Sequence, residues 1–228
     1  MLFSEENVKA NIRNRSGKRV FYLSDADTLT PSARDWLRRE RIEILPASQA
    51  RPEVYHLENG ALFPEKPEQY THLQGDVLVP KTHPRIAFRG AMDSLQAQLL
   101  LTQAAVAAPM QKDVGEILTL ARNILRWDVL EEPAKMDNLC GLSPDEIRSH
   151  SHRPQDYYGV AHFMPAYTDG NAILQLNLAR TTARSAELAA AHAFTAPDGT
   201  CTRTDLLQAL NRMSSMLYIL MLQLKKER

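Results

Sequence analysis

From Lys81 onward, apolar side chains return every three to four positions through four long runs, and no Pro falls inside any of them. The spacing predicts helices from about Phe88 to Ala107, stopping before Pro109, and from about Gln111 to Trp127. Two more are predicted from about Asn171 to Phe194 and from about Thr204 to Lys225. Long amphipathic helices joined by short connectors bury their apolar faces by packing side by side. A shorter fifth helix is signalled by "LSPDEIRSH", with Ser143 as cap, Pro144 first and Glu146 third. The fold class expected is mainly α, a bundle of four to five helices with a small N-terminal α/β segment.

The first eighty residues have a different texture. "KRVFYLS" is β-branched and aromatic and ends at the turn-forming Ser24 and Asp25. Thr30 and Pro31 then open a helix, and Ile42 to Leu45 reads as a second strand, giving a β-α-β-like unit. Pro46 to Pro80 reads as an irregular connector, with "HLENGALFP" as a hairpin around Asn59-Gly60. The expected division is therefore residues 1–80, a small α/β segment with its connector, and residues 81–228, the bundle. No internal repeat or low-complexity tract is visible.

Composition narrows the function. Lys and Arg number 27, as do Asp and Glu, so the formal net charge is zero. A nucleic-acid module that works by bulk attraction carries a basic surplus, which is missing here. Cys140 and Cys201 lie far apart and form no CxxC, so neither a disulfide framework nor a Cys-based zinc site is readable. "MLFSEENVKA" has acids where a signal peptide has its apolar core, and "SLQAQLLLTQAAVAAPM" is too short and polar to span a bilayer. The expectation is a soluble, cytoplasmic protein with no membrane or nucleic-acid partner.

One helix raises a chemical question. In "LNLARTTARSAELA", Asn177, Arg180, Arg184 and Glu187 fall three, four and three apart and share one stripe. That stripe could simply face water, where an Arg-Glu pair is worth little. Other helices carry polar residues among apolar ones too: Asp93, Gln96 and Gln103 on the first, and Asn211, Ser214, Ser215 and Tyr218 on the last. Buried polar groups need partners, so these side chains could satisfy one another or surround a polyanion, for which Arg is the preferred residue.

"HPRIAFRGAMDSLQAQ", "HFMP…LNLARTTARSAE" and "LLQALNRMSSMLYILM" resemble, in this order, the landmarks of the ATP:cob(I)alamin adenosyltransferases. "DADTLTPSARDWLRRERIEI" extends the resemblance to the amino-terminal segment of the ethanolamine-utilisation branch. The resemblance implies transfer of the 5′-deoxyadenosyl group of ATP, with Mg2+, to cob(I)alamin, releasing triphosphate. A non-catalytic module that binds or delivers cobalamin or nucleotide is the alternative. Arg180, Arg184 and Glu187 look like the family's Arg-x-x-x-Arg-x-x-Glu, whose arginines hold phosphates and whose carboxylate lies at the nucleotide. Asp93 resembles the acid that pairs with an arginine of that motif, and Asn211 the nucleotide-contacting Asn of an Asn-Arg motif. Phe163 is similar to the aromatic that displaces the lower base of cobalamin, although by itself it reads as a core aromatic.

Two departures follow. The PduO-type branch has a Gly-rich phosphate loop that this chain lacks, so Lys81, Arg85 and Arg89 are expected as further triphosphate ligands. Relatives in the ethanolamine branch carry a His and Cys-Cys-x-x-Cys metal site. Here that region has His56 and His72 but no cysteine, and no transition-metal site is expected. His150, His152 and His162 read as an exposed helix end rather than ligands. Apolar strips on the terminal helices and the resemblance together imply a homo-oligomer, a trimer ahead of a dimer, with its active site between subunits. A reductase and microcompartment partners are further implications.

Overall fold

The computed structural model describes residues 1–15, 18–49, 55–63 and 65–227. Residues 50–54 and Pro64, inside the expected connector and hairpin, lie outside the described residues. The chain divides into two compact units, Met1–Tyr55 with Leu62–Glu65, and His56–Ala61 with Lys66–Arg228.

The first unit runs β1 (Leu2–Phe3), α1 (Glu5–Ala10), β2 (Arg13–Arg15), β3 (Lys18–Leu23), β4 (Thr28–Leu29), α2 (Pro31–Arg39) and β5 (Glu43–Pro46). The Thr30 hydroxyl accepts the Ala33 N–H and Pro31 occupies the first turn, as its sequence predicts. Arg38 and Arg39 in the last turn complement the helix dipole. β3 and β5 pair in parallel from Val20 opposite Glu43 to Leu23 opposite Pro46, so β3-α2-β5 is the expected β-α-β unit. Val8, Phe21, Leu29, Ala33, Leu37 and Ile42 form its core.

β6 (Tyr55–Leu57) leads to the second unit, and β7 (Leu62–Phe63) belongs to the first. Between them Gly60, at φ +82°, closes the expected turn, its N–H donating to the Leu57 carbonyl. β8 (Tyr70–Gln74) and β9 (Val77–Pro80) then form an antiparallel hairpin in a stretch the sequence presents as connector. A register shift between His72 and Gln74 interrupts the alternation that would have betrayed these strands.

The bundle consists of α3 (Pro84–Ala105), α4 (Ala108–Val129), α7 (Gly170–Phe194) and α8 (Thr204–Lys226). The short α5 (Pro144–His152) and α6 (Pro154–Tyr158) lie in the long crossover from α4 to α7. α3 begins four residues earlier than its apolar pattern, because His83 caps it through Nδ1 and Pro84 fits the first turn. Pro109 likewise sits inside the first turn of α4 rather than before it. In that α3–α4 corner a Cβ on Gly115 would stand 2.9 Å from the Gln103 amide nitrogen, and Gln103 donates to the Gln111 carbonyl.

Neighbouring helices are antiparallel in the ring α3–α4–α8–α7. Phe88 meets Phe194 edge-on at 5.6 Å, and ten residues later Gln98 donates to Gln175 at 2.8 Å, which sets α3 against α7. Ala179, Ala183, Ala186 and Ala190 are fully buried on α7, and their small side chains let the neighbouring helices approach closely. α8 is buried almost all round because α4, α5, α6 and α7 all pack on it. No helix among the described residues is long and apolar enough to cross a membrane.

Candidate active site

The α7 stripe does not face open water along its length. Asn177 Oδ1 accepts from Arg180 Nε at 3.1 Å and from Nη2 at 2.8 Å, which holds the half-buried guanidinium in one direction. Burial, and then the like charge of Arg184, push the Arg180 pKa below its ordinary value; Tyr218 of α8 opposes the shift. Arg184 is exposed, and among the described residues neither arginine has a carboxylate partner. One turn further, Glu187 Oε1 accepts from Asn211 Nδ2 at 3.1 Å, joining α7 to α8. Asn211 Oδ1 in turn accepts from Arg212 Nη1 at 2.8 Å. Arg212 is 6% exposed and its Nε is buried without a partner. These groups border an open cleft of about 560 Å³ lined by Arg148, Glu187, Gln208, Asn211 and Arg212.

Phe163 packs further along α8, at the opposite end of the stripe from Glu187. Its ring stacks on Tyr218 with centroids 6.2 Å apart, and the Lys225 ammonium sits 5.5 Å from its centroid. Lys225 is paired with the buried Asp169, which also accepts the Ala166 N–H at 2.7 Å. Tyr218 thus borders both the arginine stripe and the Phe163 segment.

A family model described as cobalamin adenosyltransferase matches residues 64–224. The chain belongs to that family. It is 34% identical over 242 residues to the corrinoid adenosyltransferase EutT of Salmonella typhimurium, covering 96% of this chain and 90% of that relative. Over the same coverage it is 31% identical to the corrinoid adenosyltransferase EutT of Escherichia coli K12. No solved structure matches the chain.

As a member of the cobalamin adenosyltransferase family, the chain places its other expected residues unevenly. Asp93 lies on α3 between the Phe88–Phe194 and Gln98–Gln175 rungs, level with the middle of α7. It is exposed, and no partner faces it among the described residues of the single chain. Lys81, Arg85 and Arg89, expected as triphosphate ligands, are engaged elsewhere. Lys81 pairs with Glu68 at 2.7 Å. Arg85 Nε and Arg89 Nε donate to the fully buried Asp128 at 3.0 and 2.7 Å, and Arg89 also donates to the Leu73 carbonyl. A buried carboxylate requires such counter-charge. These two arginines sit by the Phe194 end of α7, whereas Phe194 lies ten residues, about 15 Å of helix rise, beyond Arg184.

The histidines are not gathered. His150 stacks on Tyr157 at 3.8 Å and its Nδ1 meets the Tyr158 hydroxyl at 2.8 Å, whereas His162 contacts Tyr218. Among the described residues no group of three or more His, Cys, Asp or Glu side chains stands at metal-binding distance. Sequence reasoning passed over Asp128, Arg148 and Arg212. An acid and an arginine inside apolar helix runs, in "RWDVL" and "ALNRM", were the available signals for Asp128 and Arg212. Nothing in the sequence marks Arg148.

Proposed function

We propose that the chain transfers the 5′-deoxyadenosyl group of ATP to cob(I)alamin, forming adenosylcobalamin and releasing triphosphate. The observation that carries this reading is the Arg180–Arg184 pair. Two adjacent guanidiniums, one half-buried with a lowered pKa, have no carboxylate partner among the described residues, an arrangement suited to an anion. The electron pair of cobalt(I) forms the bond to C5′ while the C5′–O bond breaks, and its electrons leave with the triphosphate. Arg180 and Arg184 stabilise the charge that develops there, and Asn177 keeps Arg180 aimed, so little reorganisation is needed during reaction. Mg2+ accompanies ATP as part of the substrate.

Glu187 and Asn211, already joined, hold the nucleoside side of ATP beside the cleft. Lys81, Arg85 and Arg89 are left out of this phosphate set because Glu68 and Asp128 occupy them. Phe163 presents an apolar ring to the lower face of the corrin, displacing the lower ligand so that four-coordinate cobalt(II) accepts an electron more readily. Asp93 meets the α7 arginines of a second copy, so the catalytic assembly is a homo-oligomer, a trimer ahead of a dimer. Residues 81–228 act as the catalytic domain and residues 1–80 as an accessory segment. A cytoplasmic setting, within or beside a microcompartment and served by a reductase, is part of the same proposal.

The test is to mix the purified protein with MgATP, cob(II)alamin and a chemical reductant and follow the light-sensitive spectrum of adenosylcobalamin. Wild type forms the product. Arg184→Ala loses about 2–4 kcal/mol of transition-state stabilisation, a fall in kcat/KM of about 30- to 900-fold. Wild-type turnover by that variant removes the arginines from the mechanism. A wild-type protein that binds both substrates and forms no product is a carrier instead.

A further inference from the structure

The backbone of Phe163 itself is tied to α8 through one hydroxyl. The backbone N–H of Phe163 donates to the Tyr218 hydroxyl at 3.4 Å. On its other side the same hydroxyl lies 3.2 Å from His162 Nδ1. His162 Nε2 is 3.4 Å from the His152 carbonyl, which only accepts. In the neutral tautomer that donates from Nε2, the ring accepts at Nδ1 and the Tyr218 O–H donates to it. The result is a directed chain from the Phe163 N–H through the Tyr218 hydroxyl and the His162 ring to the end of α5. Ring packing reinforces it: His162 lies parallel to Tyr218 within 9° at 5.9 Å, and Phe163 stacks on the same ring.

We propose that Tyr218 and His162 are positioning residues which latch the backbone of Phe163, so that its ring is presented to the corrin in one orientation. The inference rests on the role given to Phe163 above. Phe163 is attached to a segment with exposed neighbours, since Met164 is 90% and Tyr167 88% exposed. Packing holds the Phe163 ring against the bundle core but leaves its exposed neighbours unrestrained, and an apolar wedge acts only when held where the displaced ligand would sit. The other restraints on the ring, Tyr218 stacking and the Lys225 ammonium, act on its face and leave the backbone free.

Tyr218→Phe removes the hydroxyl and keeps the ring. In the full-length protein with cob(II)alamin and ATP, the ratio of four- to five-coordinate cobalt, read by electron paramagnetic resonance, should fall about five- to tenfold, the scale of one net hydrogen bond. KM for ATP should stay at its wild-type value, the thermal unfolding midpoint should fall by no more than about 2–4 °C, and amide exchange across residues 159–166 should accelerate. His162→Ala, a change at an exposed side chain, should give the same two signatures. His162→Asn, which restores an acceptor near the Nδ1 position, should recover part of both. Phe163→Ala is run alongside to separate the two readings. Loss of four-coordinate cobalt in Phe163→Ala, with wild-type spectrum and exchange in Tyr218→Phe, overturns the latch and leaves the wedge. A wild-type spectrum in Phe163→Ala overturns the wedge; accelerated exchange in Tyr218→Phe would then reveal a backbone tether with no part in the reaction, which also overturns the positioning role.

Discussion

Cys140 shows how far local surroundings decide what a side chain does. Its backbone takes a left-handed φ of +51°, its N–H donates to Glu116 at 2.9 Å, and its thiol points at the Asp113 carbonyl. Burial, followed by the carboxylates of Asp113 and Glu116, raises its pKa from 9.0 to about 12, with Lys112 opposing. At pH 8 this leaves roughly a thousandfold less thiolate than an ordinary cysteine has, and thiolate is the reactive species. Alkylation of Cys140 by iodoacetamide at pH 8, followed by peptide mass spectrometry, should therefore be slow in the native protein and become normal in urea. The linkage has a definite sign. A folded pKa above the unfolded value stabilises the fold below the unfolded pKa, and that contribution is lost as pH rises from 9 toward 12. The stability difference between wild type and Cys140→Ala should shrink across that window, as read from urea midpoints. A gap that widens instead would contradict a buried neutral thiol.

At the level of elements, one end of the bundle is held by charge. The start of α3 and the end of α4 meet through Arg85, Arg89 and Asp128, the last with no exposed surface. Beside them Arg203 at the start of α8 binds the Glu132 carbonyl and Asp205, and both Arg85 and Arg203 lie about a ring's width from Phe194. Removing one partner from such a group strands the others. Asp128→Asn should lower unfolding free energy by about 3–5 kcal/mol in urea titration. A loss below 1 kcal/mol would mean that water reaches the two guanidiniums. The four long helices were legible in the sequence because each repeats its apolar period for five turns or more. The Ser143 and Thr30 caps were legible because they act within their own turn. The β8–β9 hairpin was not, since its bulge breaks a two-residue period already short. Partners across the fold were least legible. The stripe on α7 was visible, but only packing reveals that Asn211 completes it while Arg85 and Arg89 belong to Asp128.

For the whole molecule, a single copy leaves two complementary groups unused. Asp93 on α3 and Arg184 on α7 are exposed, lie at similar heights on adjacent helices, and have no charged partner among the described residues. Exposed leucines share these faces, Leu100 and Leu101 on α3 at 49% and 62%, and Leu188 on α7 at 72%. Apolar surface beside unpaired opposite charges fits a second copy of the chain, which would bring Asp93 of one subunit to the arginines of the next. Mixing experiments read this directly. Asp93→Ala and Arg184→Ala should each be nearly inactive, because each breaks every site in a uniform assembly. When the two variants are unfolded together and refolded at equal ratio, some interfaces combine an intact Asp93 with an intact Arg184. Random assembly restores about a quarter of the sites, whether the closed assembly is a dimer or a cyclic trimer. A site contained within one chain has no such interface, and the mixture then stays as inactive as its parts. The fraction of activity recovered therefore distinguishes a shared site from a private one, whatever the number of subunits in the ring.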